Sequence, residues 1–250
     1  MATGTDLLLT PAGARTLPAY LARPDGADLA TPLPAVIVVH EIMGLNDDIR
    51  RIARVFADHG YVALAPDLLG AGWKPLCIAR FFAGMRQVAT GRPYVEMRGF
   101  HDWLAAQPGV DPARIGMAGF CAGGGFALLY AARGGRDLRV IAPFYGDIPA
   151  DRSLIPDVCP TVASYGAKDG VFGKLGPVLD AALTDAEIPH DVKTYPDASH
   201  SFMNQHEGLL AKVGPYTPMH AAFDETASAA AWERVLRFFG EHLGPTGAQS

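Results

Sequence analysis

The sequence of 250 residues has the length of one large α/β domain or of two small ones. Hydrophobic residues make up 49% of it and charged residues 19%, below the roughly 25% of an average globular protein, which excludes a disordered or fibrous chain. With 21 Lys and Arg against 26 Asp and Glu, the net charge of −5 provides no bulk positive field for nucleic acid or an anionic membrane. Function must therefore come from a local site.

The cysteines and the N-terminal segment bear on the compartment. Cys77, Cys121 and Cys159 are an odd number without paired spacing, which favours a reducing compartment over a disulfide framework. The N-terminal segment lacks the basic and apolar regions of a signal peptide, and no window approaches the roughly 18 apolar residues of a membrane span. We therefore expect a cytoplasmic protein that does not contact a membrane.

The first part of the chain predicts an antiparallel hairpin followed by a βαβ unit. Residues 5–10 and 17–22 are short apolar runs separated by a Pro-Ala-Gly turn signal. Residues 35–39 form a continuous apolar run, typical of a central parallel strand that is covered on both faces. Apolar residues recur at helical spacing over 48–59, and residues 61–65 form the next predicted strand.

Strand and helix patterns continue to alternate along the chain, which predicts one open, mostly parallel sheet with helices on both faces. The fold class is therefore α/β, and we expect a single domain over residues 1–250. Residues 70–92, which begin with Gly70-Ala-Gly72 and hold a Phe-Phe pair, interrupt the alternation and are a candidate cap over a site. The further predicted strands span residues 115–119, 140–143, 161–165 and 191–195, and the further helices span 94–106, 122–132, 175–186 and 226–243.

The segment Gly119-Phe-Cys121-Ala-Gly123 follows a predicted strand and opens a predicted helix, which is the context of a nucleophile elbow with cysteine in place of serine. The nucleophile of such a turn holds a strained backbone, so glycine is needed two positions to either side. The helix starting at Ala122 aims its N-terminal amides at Cys121, which favours a thiolate and an oxyanion. From the motif alone, an inert thiol in a small-residue packing contact explains the pattern equally well.

Two further residues extend the motif into a candidate triad. Asp169 and His200 each follow a predicted strand, so the chain order is nucleophile, acid, histidine, as in α/β-hydrolases. Asp169 would orient His200, and His200 would accept and return the proton. Taken singly, Asp169 fits a turn and His200 fits a loop, but the three in order favour a triad. Class I glutamine amidotransferases also carry a cysteine elbow, yet their acid lies two residues after the histidine, where this chain has Phe202.

The loop that follows the first parallel strand supplies the third element. α/β-Hydrolases place there a backbone amide that completes the oxyanion hole, so Ile42 N–H pairs with Ala122 N–H in our prediction. The preceding residue, Glu41, is a carboxylate at the end of an apolar strand and must find a partner or be protonated. A salt bridge within the loop is the alternative to a role in the site.

Together these segments resemble the dienelactone hydrolase family, also called carboxymethylenebutenolidases, and the resemblance spans nearly the whole chain. It implies an α/β-hydrolase fold with a Cys121, Asp169 and His200 triad and without a metal or cofactor. It also implies that Glu41 contacts the resting thiol and helps convert it to thiolate when substrate displaces it. The segments that carry the resemblance are His40-Glu-Ile-Met-Gly-Leu-Asn46, Ala65-Pro-Asp-Leu-Leu69, Gly119-Phe-Cys-Ala-Gly-Gly124, Asp169 and His200-Ser-Phe202.

The sequence departs from the founding members of the family where they bind the substrate carboxylate. Those enzymes use two arginines, and the matching positions here are Ala71 and Asn204, which argues against the family's acidic diene lactone as the substrate. Arg80, Arg86 or Arg92 would replace those charges only if their segment folds over the site. The expected pocket is apolar, although core packing explains its aromatics about as well, and its candidate residues are Trp73, Phe81, Phe82, Tyr145, Phe202 and Asn204.

We therefore predict a hydrolase of esters or lactones that works through a thioester acyl-enzyme, with altered substrate recognition. The alternative is a non-catalytic or redox-sensing protein that keeps Cys121 as a reactive thiol. The remaining histidines, His206 among them, show no metal spacing and fit surface or core positions, so we expect no metal and no cofactor. The expected partner is a small-molecule substrate rather than nucleic acid or a membrane. The sequence leaves open whether the chain forms a homodimer.

Overall fold

The computed structural model describes residues 2–244 apart from residues 14, 29, 71, 134 and 136. Within these residues eight strands form one sheet in the order β1-β2-β4-β3-β5-β6-β7-β8. The strands are β1 (Thr3–Leu9), β2 (Leu17–Arg23), β3 (Leu33–Val39), β4 (Val62–Pro66), β5 (Val110–Phe120), β6 (Val140–Phe144), β7 (Thr161–Gly166) and β8 (His190–Tyr195). The helices are α1 (Asp47–Asp58), α2 (Lys74–Met85), α3 (Arg92–Ala105), α4 (Ala122–Arg133), α5 (Leu175–Asp185), α6 (Gly208–Val213) and α7 (Glu225–Leu243), with 3-10 turns at Arg152–Asp157 and Gly214–Tyr216.

The sheet is parallel except at its N-terminal edge. β1 and β2 form the predicted antiparallel hairpin, β2 pairs antiparallel with β4, and the other neighbours are parallel. Every residue of β3 is buried, with Ile37 in one apolar core and Val36 in the core on the other face. Burial on both faces explains its unbroken apolar sequence. The predicted α/β class with helices on both faces is confirmed.

α1 and α7 pack together on one face of the sheet, where the Phe56 ring lies 5.0 Å from the Trp232 ring. The side chains of Asn46 and Asp224 cap these helices, and each accepts a hydrogen bond of 2.9 Å from an amide three residues further on. Because Asn46 ends the loop that follows β3, its cap also fixes the end of that loop. Among the helices of the described part of the chain, none is long and apolar enough to cross a lipid bilayer.

Residues 70–92 are more regular than the sequence predicted. α2 fills much of this segment and buries a single row of side chains four residues apart, Cys77, Phe81 and Met85. So narrow an apolar row is hard to recognise among exposed apolar neighbours, which is why no helix was predicted there. α6 and the two 3-10 turns were also not predicted, because each is too short to show a periodic pattern.

Candidate active site

Cys121 occupies the turn between β5 and α4 with a φ of +53°, a left-handed conformation that residues with a side chain rarely adopt. Its amide donates a hydrogen bond of 3.1 Å to the Phe144 carbonyl, which ties the turn to the end of β6. A Cβ atom on Gly119 would overlap the carbonyl of Gly123, and one on Gly123 would overlap the carbonyl of Val39. Both flanking glycines are therefore required by close backbone approach at a sharp turn.

His200 and Asp169 are joined by a hydrogen bond of 2.6 Å between Nδ1 and Oδ2, and both side chains are buried. The other oxygen of Asp169 accepts amide hydrogen bonds from Val171 at 2.9 Å and Phe172 at 3.0 Å, so the carboxylate is held rigidly. Because the Asp169 carboxylate accepts the hydrogen bond from Nδ1–H of His200, the second ring nitrogen, Nε2, is left unprotonated and can act as a base. That nitrogen is buried and has no hydrogen-bond partner within the described residues.

The structure brings Glu41 into the same cluster. One carboxylate oxygen of Glu41, the sulfur of Cys121 and a ring nitrogen of His200 all lie within 4.8 Å of one another. Glu41 Oε1 accepts a hydrogen bond of 2.6 Å from the Ser201 hydroxyl, and Oε2 lies 3.4 Å from Nε2 of His206. Glu41 is thus a member of the site rather than of a salt bridge within its own loop.

The electrostatic environment keeps Glu41 partly protonated. Its side chain is buried, and burial raises the pKa of Glu41 from its ordinary 4.5 to about 7. The hydrogen bond from Ser201 lowers this pKa because it stabilises the carboxylate, and the negative charge of Asp48 raises it. Near neutral pH, Glu41 therefore exists as a mixture of carboxylate and carboxylic acid.

Cys121 is a neutral thiol in the resting site. Burial, followed by the negative charges of Glu41 and Asp169, raises the pKa of Cys121 to about 12, and only the amide of Ala122 opposes this. The N-terminus of α4 is thus outweighed by desolvation and by the neighbouring carboxylates.

His40 organises the loop that was predicted to supply the second oxyanion amide. Its Nδ1–H donates to the Glu41 carbonyl at 2.6 Å, and its Nε2 accepts the Leu68 amide at 3.0 Å. Burial lowers the pKa of His40, which suits a neutral ring with one donor and one acceptor. Neither predicted amide, Ile42 N–H or Ala122 N–H, donates to a backbone carbonyl within the described part of the chain. Within the described residues both amides are therefore without a backbone acceptor, and the Ala122 amide faces the Cys121 sulfur.

A cavity of about 610 Å³ opens onto Cys121 and Ala122. Its walls come from the end of α2, from α4, and from the segments that follow β6 and β7. Most of the lining is apolar, which suits an uncharged acyl or alkyl group. The apolar side chains that line it include Phe82, Met85, Val88, Leu129, Leu154 and Phe172.

Most of the aromatic residues predicted for the pocket lie elsewhere. Trp73 is exposed, and Phe81 packs in the core beneath the cavity wall. Tyr145 and Phe202 are fully buried and pack together at a ring distance of 5.4 Å, so neither borders the cavity. Phe82, the next residue of α2, is partly exposed and does line the cavity.

Asn204 is held in a buried polar network and does not line the cavity. Its Nδ2 donates to Asp48 at 2.7 Å, and its Oδ1 accepts a hydrogen bond from the Tyr145 hydroxyl. Arg51 in turn donates to the other oxygen of Asp48 at 2.8 Å. The polar atoms of Asn204 are thus satisfied internally, and Ala71, the other position compared with the family's arginines, lies outside the described residues.

The three candidate replacement arginines have different positions. Arg86, at the end of α2, lines the cavity. Arg92 lies 3.5 Å from Glu96 on the same helix, and Arg80 is exposed on α2 away from the cavity. Of these three arginines, only Arg86 therefore lines the cavity at Cys121.

Sequence reasoning missed three residues of the site. Ser201 and His206 contact Glu41, and Phe172 lines the cavity with its ring 5.5 Å from that of His200. His206 was expected at a surface or core position, yet its side chain is only 7% exposed and faces the Glu41 carboxylate. The only sequence signal for these contacts is their nearness in the chain to His200 and Asp169, because no motif spacing relates either of them to Glu41.

Comparison with known proteins identifies relatives of this chain. The model of the dienelactone hydrolase family matches residues 17–243. A protein of Escherichia coli (strain K12) named "Putative carboxymethylenebutenolidase" is 31% identical over 94% of this chain and 86% of its own length. The crystal structure of a "Putative Dienelactone Hydrolase" from Klebsiella pneumoniae is 28% identical with a TM-score of 0.76, covering 96% of this chain and 99% of the other. A dienelactone hydrolase-like promiscuous phosphotriesterase from metagenomic libraries is 26% identical with a TM-score of 0.80, covering 97% and 99%.

Proposed function

Because the chain belongs to the dienelactone hydrolase family, we propose that it hydrolyses carboxylic esters or lactones with Cys121 as the nucleophile. The observation that supports this most directly is the cluster of the three groups that acyl transfer needs. His200 is oriented by Asp169 at 2.6 Å, its Nε2 is without a partner within the described residues, and a ring nitrogen lies within 4.8 Å of the Cys121 sulfur. Nucleophile, base and orienting acid are thereby within reach of one another.

The reaction begins with proton transfer from Cys121. When substrate enters the cavity, the thiol proton passes to Glu41 and the thiolate attacks the carbonyl carbon. The resulting oxyanion receives hydrogen bonds from the amides of Ile42 and Ala122. As the intermediate collapses, the proton moves from Glu41 through His200 to the leaving alcohol oxygen, and the acyl group remains on the sulfur as a thioester.

Hydrolysis of the thioester depends on His200. Its Nε2 takes a proton from a water molecule, which attacks the thioester carbonyl through the same oxyanion site. The carbon–sulfur bond then breaks, the Cys121 sulfur recovers a proton from His200, and a carboxylic acid is formed. Asp169 stabilises the imidazolium that exists during this step.

The proposed substrate is an ester or lactone with an uncharged, apolar body. The family's two arginine positions hold Ala71 and the internally bonded Asn204, which supports altered recognition. Arg86 is on the cavity wall, but Asp147 and Asp151 line the same cavity, so the wall carries no net positive charge to bind a carboxylate. Apolar contact therefore provides most of the binding free energy.

The alternative of a redox-sensing thiol is less well supported. Redox-sensor cysteines have a low pKa and are accessible, because the thiolate is the species that is oxidised. Burial raises the pKa of Cys121 to about 12, which makes the resting sulfur a weak nucleophile toward oxidants. A substrate-dependent thiolate fits hydrolysis better.

The test is turnover of p-nitrophenyl esters by the purified protein, with mass spectrometry of the trapped acyl-enzyme. We expect an acyl group on Cys121, complete loss of turnover in Cys121→Ala, and retained turnover in the matched control Cys159→Ala. Substrate class is tested by comparing p-nitrophenyl valerate with the mono-p-nitrophenyl ester of glutaric acid, which has a similar length and a terminal carboxylate. We expect a kcat/KM about tenfold or more higher for the neutral ester, a difference of about 1.4 kcal/mol. Turnover in Cys121→Ala equal to that of the unmodified protein would overturn the nucleophile assignment.

A further inference from the structure

A second cavity lies near Glu41, and Cys121 is not among the residues that line it. It has a volume of about 400 Å³ and shares no lining residue with the cavity at Cys121. Its walls are polar and charged, unlike those of the first cavity. They include Asp47, Asp48, Arg51, Arg54, His206 and Glu207.

His206 connects this polar cavity to Glu41. Its Nε2 lies 3.4 Å from Glu41 Oε2, and the same residue forms part of the cavity wall. The other oxygen of Glu41 is already hydrogen bonded to Ser201 at 2.6 Å. Of the two carboxylate oxygens, one is thus held by a hydroxyl and the other faces an imidazole that lines the polar cavity.

The hydrolysis proposed above produces one proton in each turnover, and this inference rests on that proposed function. Ester and water yield carboxylate, alcohol and a proton near neutral pH, since a carboxylic acid has a pKa of about 4. His200 returns to Cys121 the proton that it takes from water, so it does not remove the additional one. Glu41 is the other base of the cluster, and it must lose any proton it has received before it can accept the thiol proton again.

We propose that Glu41 and His206 form an outlet that carries the product proton from the acyl site to water in the polar cavity. The carboxylic acid product gives its proton to Glu41, and Glu41 Oε2–H passes a proton to Nε2 of His206. His206 then releases its Nδ1 proton to water and returns to its starting tautomer. Carboxylate product leaves, and no charge accumulates at the site.

Burial sets the proton affinities of Glu41 and His206. Burial raises the pKa of Glu41 to about 7, so it is a stronger base than the product carboxylate. Burial also lowers the pKa of His206, so its ring is neutral at rest and passes a received proton on rather than holding it. The titratable and charged groups that face this pair are Asp48 and Arg51 from α1, Cys121 from the elbow, Tyr145 after β6, and His200 in the loop after β8.

The test separates the first turnover from later ones in His206→Ala, with p-nitrophenyl butyrate as substrate. The first acylation needs only Glu41 in its ionised form, so we expect the burst of p-nitrophenol to keep its rate and amplitude. Steady-state kcat should fall about tenfold or more with KM unchanged, because protonated Glu41 accumulates. Added imidazole should restore kcat, whereas pyrazole, a ring of the same shape and much weaker basicity, should not. His59→Ala, which removes an exposed histidine directly after α1, serves as the matched control.

Three results would overturn the outlet. They are a steady-state kcat in His206→Ala equal to that of the unmodified protein from pH 6 to 8, equal rescue by imidazole and pyrazole, or loss of the burst together with steady-state turnover. His206→Gln, which keeps polarity and size without a base, gives the same comparison if the alanine variant does not fold. Failure of the proposed hydrolysis itself looks different, since the unmodified protein would then show no burst that depends on Cys121.

Discussion

The hydroxyl of Ser201 donates a hydrogen bond of 2.6 Å to Glu41 Oε1, across 160 residues of sequence. Ser201 follows His200 directly and holds a left-handed φ of +58°, so the loop that carries the proposed base also holds the carboxylate that faces the thiol. The two proton acceptors of the site are therefore fixed to one backbone turn. Movement of that turn changes the positions of both together.

Ser201→Ala should shift the pH dependence of turnover. The hydrogen bond stabilises ionised Glu41, so its loss raises the pKa of Glu41 further above about 7. A hydrogen bond to a charged group contributes about 1.5 to 3 kcal/mol, which corresponds to about one to two pH units. We expect the acid limb of the kcat/KM profile to move to higher pH by about that amount, while the plateau at high pH is retained. Ser199→Ala, on the other side of His200, should leave the limb in place, and an unmoved limb in Ser201→Ala would contradict the role of this hydrogen bond.

Glu41→Gln should change how stability depends on pH. Glu41 has an ordinary pKa of 4.5 when unfolded and about 7 when folded, so between these values the folded chain holds a proton that the unfolded chain releases. The free energy of unfolding therefore falls as pH rises through this window, by about 3 kcal/mol from this group. Urea unfolding at pH 5 and pH 8 should show that the variant gains about this much relative to the unmodified protein. Glu207→Gln, an exposed control, should show no such gain, and parallel pH curves for Glu41→Gln would refute the raised pKa.

The elements that could be predicted from the sequence are those whose consecutive residues are all buried. β3 and β5 read as apolar strands because both of their faces are covered, and the elbow at Cys121 was recognisable because close backbone contact admits only glycine at 119 and 123. Asp169 and His200 could be located because each follows a strand. Their assignment as catalytic residues stays a prediction until variants are measured.

Contacts between distant loops could not be predicted in the same way. The loop that holds His200 belongs to the edge strand β8, and its backbone is fixed by hydrogen bonds with Met219 at 3.2 Å and Ala222 at 3.0 Å. These bonds hold it across the ends of the parallel strands, where it meets the loop after β3. Tertiary packing of this kind leaves no periodic pattern in the sequence, so the contacts of Ser201 and His206 with Glu41 were missed.

Asp169→Asn should lower the rate of thioester hydrolysis by orders of magnitude. One oxygen of Asp169 accepts the amides of Val171 and Phe172, so an asparagine would keep its oxygen there and turn its NH₂ group toward His200. The imidazole would then carry its proton on Nε2 and could not act as the base, an effect of about 10⁴ in serine triads. The steady-state rate of p-nitrophenol release after the burst gives this rate. Asp197→Asn, an exposed residue paired with Lys168, is the control, and a loss below about tenfold would mean that His200 is oriented by another group.

Glu41→Gln also tests whether the carboxylate suppresses the resting thiol. After burial, the charge of Glu41 is the next largest cause of the raised pKa of Cys121, so the variant should alkylate faster with iodoacetamide and yet hydrolyse esters more slowly. Since Glu41 has a pKa of about 7, the acceleration should grow from pH 6 to pH 8, reaching about tenfold if the pKa of Cys121 falls by about one unit.

Cys159 provides an internal control for this experiment within the same sample. Burial raises the pKa of Cys159 to about 12 as well, with no carboxylate contributing, so peptide mass spectrometry should show its alkylation unchanged by Glu41→Gln. If alkylation of Cys121 and ester turnover instead fall in parallel, with the fold intact by circular dichroism, Glu41 activates the resting thiol directly. The repulsion between the Glu41 carboxylate and a Cys121 thiolate would then be too weak to keep Cys121 protonated. Activation would not require substrate to displace the carboxylate.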